Sequence, residues 1–132
     1  MTWEDLDSEI LHLSAKINYT PNIIIGIVRG GIIPARLLAT KLNVKNMYCL
    51  TVKKTDDKRR VTTEIQEEIM GKQILLVEDM LETGKSLITA RQYLEEKGAF
   101  VKTACLYTMP KSEIKPDYYL REIKKIITFP WE

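Results

Sequence analysis

Two stretches, NIIIGIV at 22–28 and QILLVED at 73–79, are apolar at successive positions rather than at alternate ones. A strand with one face in water alternates. A continuous apolar run belongs to a strand covered on both faces, the usual condition of a parallel sheet packed between helices. Three further short runs, NMYCLTV at 46–52, VKTACLY at 101–107 and KKIITF at 124–129, bring the expected strands to five. Helical patterns separate them. WEDLDSEILHLSAKI at 3–17 repeats apolar residues three and four apart, with acids crowded into its first turn. PARLLATKL at 34–42 opens on a proline, which suits a first helical turn, and GKSLITARQYLEEKG at 84–98 is amphipathic and closes on Gly98, a suitable C-cap. Strands alternating with helices predict an α/β fold: a mainly parallel sheet of about five strands, flanked by helices and joined by right-handed crossovers.

At 132 residues, the chain is long enough for one domain with a real core and too short for two, so 1–132 is expected to form a single domain. Twenty basic and eighteen acidic residues leave a net charge of +2, so bulk charge points to no nucleic-acid partner. No run approaches a membrane span, and the acidic start MTWEDLDSEI lacks the pattern of a signal peptide. An intracellular, cytoplasmic protein is the expectation. Cys49 and Cys105 fall within strand-like runs and are expected as buried free thiols. The stretch KKTDDKRRVTTE at 53–64 has no apolar period and reads as a solvated loop or ragged hairpin.

The most informative segment is ILLVEDMLETGKSL at 74–87. Its TGKS suggests a P-loop, but that motif requires a glycine five positions before Gly84, and the residue there is Asp79, preceded by Glu78. Two carboxylates at the mouth of such a loop would repel a triphosphate. A different ligand is needed. Ligands of open α/β sheets gather at the carboxyl ends of strands, where Glu78 and Asp79 lie. The loop that follows leads into a helix N-terminus, which offers free N–H groups and a positive dipole end to one phosphate. The acids suit sugar hydroxyls or a bound Mg²⁺. Phosphate and hydroxyls together describe a ribose 5-phosphate clamp.

VEDMLETGKS resembles the phosphoribosyl-pyrophosphate (PRPP) motif of type I phosphoribosyltransferases. IVRGGIIPARLLATKL at 27–42 is similar to the pyrophosphate loop and helix of the xanthine-guanine branch of that family, in its bacterial and archaeal members, and the C-terminal FPWE is similar to that branch's proline-tryptophan-acid ending. The resemblance implies a type I phosphoribosyltransferase-like fold with a small C-terminal hood. It implies transfer of ribose 5-phosphate from PRPP to a purine base in purine salvage, with release of pyrophosphate and with Mg²⁺ as cofactor. It also assigns roles. Glu78 and Asp79 would hold the ribose hydroxyls, directly or through Mg²⁺, with Glu132 as a further metal ligand. Thr83, Gly84, Lys85 and Ser86 would bind the 5′-phosphate, Gly84 leaving the phosphate's space free of a side chain. Val28, Arg29, Gly30 and Gly31 would form the pyrophosphate loop, entered through a Val28–Arg29 bond that is often cis in the family. Arg29 and Glu82 would be catalytic, Arg29 on the leaving group and Glu82 on the purine proton, where most relatives carry aspartate.

The base end departs from that pattern. The family's lysine for the purine 6-oxygen is expected immediately before Pro110, and the residue there is Met109. Lys111 is the cation available nearby, with Lys115 further on. The aromatic expected to stack on the base is replaced by Ile126. Met109, Lys111, Ile126, Ile127 and Trp131 are therefore the base-binding candidates, with backbone groups near Ile126 and Ile127 expected to do much of the reading. Lys58, Arg59 and Arg60 would reach pyrophosphate only if the charged loop folds over the site. Tyr118 and Tyr119 suit either the hood or a core or interface. His12 lies on a helical pattern far from the acids and reads as structural. The family's habit implies a homo-oligomer, in the first instance a dimer. A PRPP- or nucleotide-sensing protein that keeps the clamp without the chemistry is the alternative that Met109 and Ile126 favour.

Overall fold

The first helix is set by its cap. Thr2 accepts the Asp5 N–H at 3.0 Å and Asp5 accepts the Thr2 N–H at 2.9 Å, a reciprocal capping box that starts α1 (Trp3–Lys16). The computed structural model describes residues 1–132. After α1 come β1 (Ile23–Val28), α2 (Ile32–Leu42), β2 (Met47–Thr55), β3 (Lys58–Val61), β4 (Gln73–Val77), β5 (Met80–Leu81), α3 (Lys85–Glu96), β6 (Phe100–Ala104), β7 (Tyr107–Thr108) and β8 (Arg121–Glu122).

The main sheet has the order β3-β2-β1-β4-β6, parallel except for the β2–β3 pair. Strand β1 is its centre, with β2 on one side and β4 on the other. The chain therefore reverses direction across the sheet between β1 and β4, the place where two adjacent strand ends open a crevice. Residues of β1 and β4 alternate between two cores. Ile24, Leu75 and Val77 pack with Leu6, Ile10 and Leu13 of α1 and Leu38 of α2. Ile23, Ile25, Ile27, Ile74 and Leu76 pack with Leu87, Ala90 and Leu94 of α3. Burial on both faces is what the continuous apolar runs required. No helix is long and apolar enough to cross a membrane.

Three expectations change. The run 73–79 ends its strand at Val77, and 101–107 ends its strand at Ala104. Beyond those points the chain enters a second, three-stranded sheet, β5-β7-β8, that forms the hood. The two sheets stay joined through Glu78 N–H to the Ala104 carbonyl at 3.0 Å and Leu106 N–H to the Asp79 carbonyl at 2.9 Å. The expected strand at 124–129 does not form. Only Arg121–Glu122 pair with β7, and the tail is held by side-chain stacking, with Phe129 between Tyr107 and Trp131 at ring separations of 6.2 and 4.7 Å. The fifth strand of the main sheet is instead β3, the return arm of the charged stretch, which turns at Asp56 (φ 55°).

Both cysteines are free; Cys105 is buried and Cys49 only partly so. His12 lies on the exposed side of α1, 3.8 Å from Glu9.

Candidate functional site

The ends of β1 and β4 meet. Gly26 is level with Val77, so the loop after Val28 lies against Glu78 and Asp79. The contact is close enough to dictate residue type. A β-carbon at Gly30 would overlap the Asp79 carboxylate, and one at Gly31 would overlap the Val77 carbonyl. Gly31 N–H donates to the Ile27 carbonyl at 2.8 Å, tightening the turn into α2. The Val28–Arg29 bond is cis, as the resemblance implied, and Arg29 is exposed at the rim.

The two acids are held by local backbone. Glu78 Oε1 accepts the Asp79 N–H at 3.1 Å, and Asp79 Oδ1 accepts the Met80 N–H at 2.6 Å. Neither enters an ion pair with a lysine or arginine. Burial, and then the charge of Asp79, push the Glu78 carboxyl well above the ordinary carboxylate range. Burial also raises Asp79, to which the charge of Glu132 adds. Glu132 thus belongs electrostatically to the same acidic end, although its carboxylate caps the Phe129 N–H at 2.8 Å. Beneath the pair, burial and then the charges of Glu78 and Asp79 drive the Cys105 thiol far up. The arrangement is a hard-oxygen donor set short of positive charge.

Opposite the acids stands the phosphate cup. Gly84 is left-handed (φ 79°) and caps α3 with no side chain. The N–H groups of Thr83, Gly84 and Ser86 donate to no protein acceptor, whereas Lys85 N–H makes a long contact, 3.4 Å, to Thr83 Oγ1. Residues 78–87 line an open cleft of about 280 Å³ between cup and acids. One detail corrects the sequence reading. The space above Gly84 Cα holds Ile114 Cγ2 and Ser112 Oγ, 2.6 and 2.8 Å from where a β-carbon would sit, so the glycine makes room for the hood rather than for the phosphate. Glu113 N–H donates to the Thr83 carbonyl at 2.8 Å, fastening hood to cup. Ser112, Glu113 and Ile114 had no signature in the sequence, because they shape the cup from some thirty residues downstream. Asp57, upstream in the β2–β3 turn, is a fourth, 3.8 Å from Lys85 Nζ.

The base candidates are spread around the hood. Lys111 Nζ lies 3.6 Å from Glu82, so the cation beside the expected proton acceptor is Lys111 rather than position 109. Met109 lines a hollow of about 350 Å³ with Ile114, Lys115 and Tyr119. Ile127 lines a different one, about 460 Å³, with Met1, Glu9, Tyr107 and Arg121. Ile126 is 62% exposed. Trp131 stacks on Phe129 and meets Trp3 at 6.3 Å.

Residues 2–132 match the family described as the phosphoribosyl transferase domain. A xanthine-guanine phosphoribosyltransferase of Chromohalobacter salexigens is 33% identical over an alignment covering all of this chain and 82% of that protein. The crystal structure of a purine phosphoribosyltransferase from Pyrococcus horikoshii superposes with a TM-score of 0.93 at 35% identity, covering 100% of this chain and 91% of that one. A Helicobacter pylori xanthine-guanine-hypoxanthine phosphoribosyltransferase shares the fold at 21% identity, with a TM-score of 0.84 over 99% of this chain and 90% of its own.

Proposed function

The chain belongs to the phosphoribosyltransferase family, and from that premise we propose that it transfers ribose 5-phosphate from PRPP to a purine base, as the names of its relatives describe for theirs. The observation that carries the reading is the pairing of an acid-lined strand end, Glu78 and Asp79, with three unpaired amides at Thr83, Gly84 and Ser86 across one open cleft. Amides and the α3 dipole take the 5′-phosphate. The carboxylates take the 2′- and 3′-hydroxyls, which donate to them. The Arg29–Gly31 loop faces the diphosphate.

In the reaction a purine ring nitrogen bonds to C1′ as the C1′–oxygen bond to diphosphate breaks, and the ring N–H proton passes to Glu82. Positive charge builds on the sugar and negative charge on the leaving group, so the oriented amides and Arg29 stabilise the transition state more than the ground state. Mg²⁺ fits this site. It prefers one or two carboxylates completed by phosphate and water, and Glu78 and Asp79 are buried carboxylates with no cationic partner, with Glu132 at their edge. When bound it supplies charge neutralisation on the diphosphate. Lys111 beside Glu82 places a donor and an acceptor side by side, matching the 6-oxygen and the adjacent N7–H of a 6-oxopurine. The protein acts in the cell interior as a homo-oligomer, in its simplest form a dimer, which light scattering at micromolar concentration checks.

The deciding experiment is a panel of purine bases with PRPP and Mg²⁺, followed by pyrophosphate release. Turnover on xanthine, guanine or hypoxanthine establishes the transferase. Met109 and the 62% exposed Ile126 favour one other reading, a PRPP sensor; PRPP binding with no turnover on any base would establish that instead.

A further inference from the structure

Four successive residues of the cup loop meet four successive residues of the hood. Glu82 pairs with Lys111 at 3.6 Å, the Thr83 carbonyl accepts the Glu113 N–H at 2.8 Å, Gly84 lies under Ser112 and Ile114, and Lys85 reaches Glu113 at 3.9 Å. The two ion pairs stand in solvent, their side chains 34–61% exposed, and pairs of that kind hold little by themselves. The join therefore depends on the backbone of the 111–114 turn and on its fit over Gly84.

The sequence explains that backbone. Met109 N–H donates to the Leu81 carbonyl at 2.9 Å and Ser112 N–H to the Met109 carbonyl at 3.0 Å, which closes a β-turn with Pro110 and Lys111 at its corners. Proline suits the first corner because its φ is already fixed there. Past the turn, the Ser112 hydroxyl donates to the Ile114 carbonyl at 2.7 Å and accepts the Ile114 N–H at 3.3 Å. The same oxygen stands 2.8 Å from where a β-carbon on Gly84 would be. One side chain thus folds the chain after Lys111 and rests it on the cup. Lys111 is long and flexible and its ammonium pairs with Glu82 alone, so its reach is set by where these fastenings put its backbone.

We propose that Ser112 is a positioning residue for the base: braced on Gly84, it holds Lys111 beside Glu82 and so sets the preference for a 6-oxopurine over a 6-aminopurine. The inference rests on the Lys111–Glu82 reading of the base given above. A lysine ammonium has only donors, so it rewards a 6-oxygen and gains nothing from a 6-amino group that is itself a donor. That reward depends on where Lys111 stands. Phosphate affinity does not, because removal of the Ser112 hydroxyl leaves the Glu113–Thr83 hydrogen bond and the cup amides in place.

The test uses ligands that need no turnover. Titration calorimetry of the full chain with Mg²⁺ compares inosine 5′-monophosphate, adenosine 5′-monophosphate and ribose 5-phosphate across wild type, Ser112→Ala, Ser112→Thr, Lys111→Ala and the Ser112→Ala/Lys111→Ala pair. Wild type should prefer the 6-oxo nucleotide about tenfold or more, and Lys111→Ala should bring the two nucleotides together. Ser112→Ala should lower that preference about three- to tenfold, with ribose 5-phosphate and the 6-amino nucleotide within about twofold of wild type. Ser112→Thr keeps the hydroxyl and should behave as wild type. In the Lys111→Ala background, Ser112→Ala should change the preference no further, since both changes act through one contact. A serine that only stabilised the turn would weaken all three ligands together. If Ser112→Ala does not fold, Ser112→Cys, which keeps the size with a weaker acceptor, carries the same comparison. An unchanged nucleotide preference in Ser112→Ala, or a further loss in the pair, overturns the proposal and leaves the Lys111 reading standing. Equal wild-type affinity for the two nucleotides overturns the Lys111 reading and the proposal with it. Failure of the wild type to bind any of the three ligands overturns the proposed function as a whole.

Discussion

Gly84→Ala isolates the reason for a glycine at the phosphate cup. At φ 79° an L side chain costs about 1–2 kcal/mol in the left-handed region. The added β-carbon also lands 2.6 Å from Ile114 Cγ2 and 2.8 Å from Ser112 Oγ. Ser112 cannot swing aside freely, since its hydroxyl donates to the Ile114 carbonyl at 2.7 Å and accepts the Ile114 N–H at 3.3 Å. The 112–114 turn must therefore move, an overpacking cost of about 1–3 kcal/mol. Together these give roughly 2–5 kcal/mol out of a typical 5–15. At about 4 °C per kcal/mol for a chain of this size, ligand-free Gly84→Ala should melt about 8–20 °C below wild type. Adding Ile114→Ala removes the Ile114 share of the steric part and leaves the Ser112 contact and the dihedral part, so a double-mutant cycle should show coupling of about 1 kcal/mol. Thermal denaturation by circular dichroism, with and without PRPP, measures both. If glycine were needed only to admit the phosphate, the ligand-free variant would lose the dihedral part alone, about 4–8 °C, and binding with it. That result, or zero coupling to Ile114, would refute the reasoning.

Glu78→Gln should stabilise the ligand-free protein in one pH range only. The folded Glu78 carboxyl titrates above its unfolded value, so the folded state binds the extra proton and stability falls as pH rises past about 4.3. The variant's urea midpoint should exceed wild type above that pH and converge with it below, while PRPP binding is lost. Tyr107→Phe removes a 2.7 Å hydrogen bond to Glu9, which retains Arg121 at 2.7 Å, and should cost about 1–2 kcal/mol by urea unfolding at pH 7. Burial opposes ionisation of Glu9, but the Tyr107 and Arg121 hydrogen bonds outweigh it and hold the carboxyl low, so this contribution fades as the pH falls through the folded value. Lys111→Ala should lower kcat/KM on a 6-oxopurine about tenfold or more while changing adenine little, and Met109→Lys in that background should restore part of the loss.

The central part of the fold was legible because its strands are buried on both faces. Ile23–Val28 and Gln73–Val77 have no polar alternation to confuse them, and the TGKS loop marks where α3 must begin. Glu78 and Asp79 could be placed at a strand end for the same reason. What remained hidden is the division of an apolar run between two sheets. Cys105 and Leu106 are as buried as Thr103 and Ala104 at the end of β6, so composition does not reveal that the ladder stops at Ala104 and resumes in the hood at Tyr107. The segment 124–129 misled in the opposite sense. Phe129 is drawn inward by a stack of rings and Ile127 packs partly against the core, contacts that leave a strand-like spacing with no strand hydrogen bonds behind it. The hood residues that shape the cup, Ser112 and Ile114, are defined by what Gly84 leaves open, a relation between distant positions that no local pattern encodes.

The charge layout of this end of the sheet connects the stability of the protein to its function. Acids collect on the β4 side, where burial first and the charge of neighbouring acids second raise the carboxyls of Glu78 and Asp79. Cations collect on the β2–β3 side and face one another across two rungs. Either group would be relieved by pairing with the other, yet no ion pair joins them, because β1 separates β4 from β2 and two interstrand spacings amount to about 10 Å. The fold therefore carries an electrostatic cost on each side of β1 that a ligand of the opposite charge there would lower. By linkage, the free energy released when it binds appears as affinity and as added stability of the bound state.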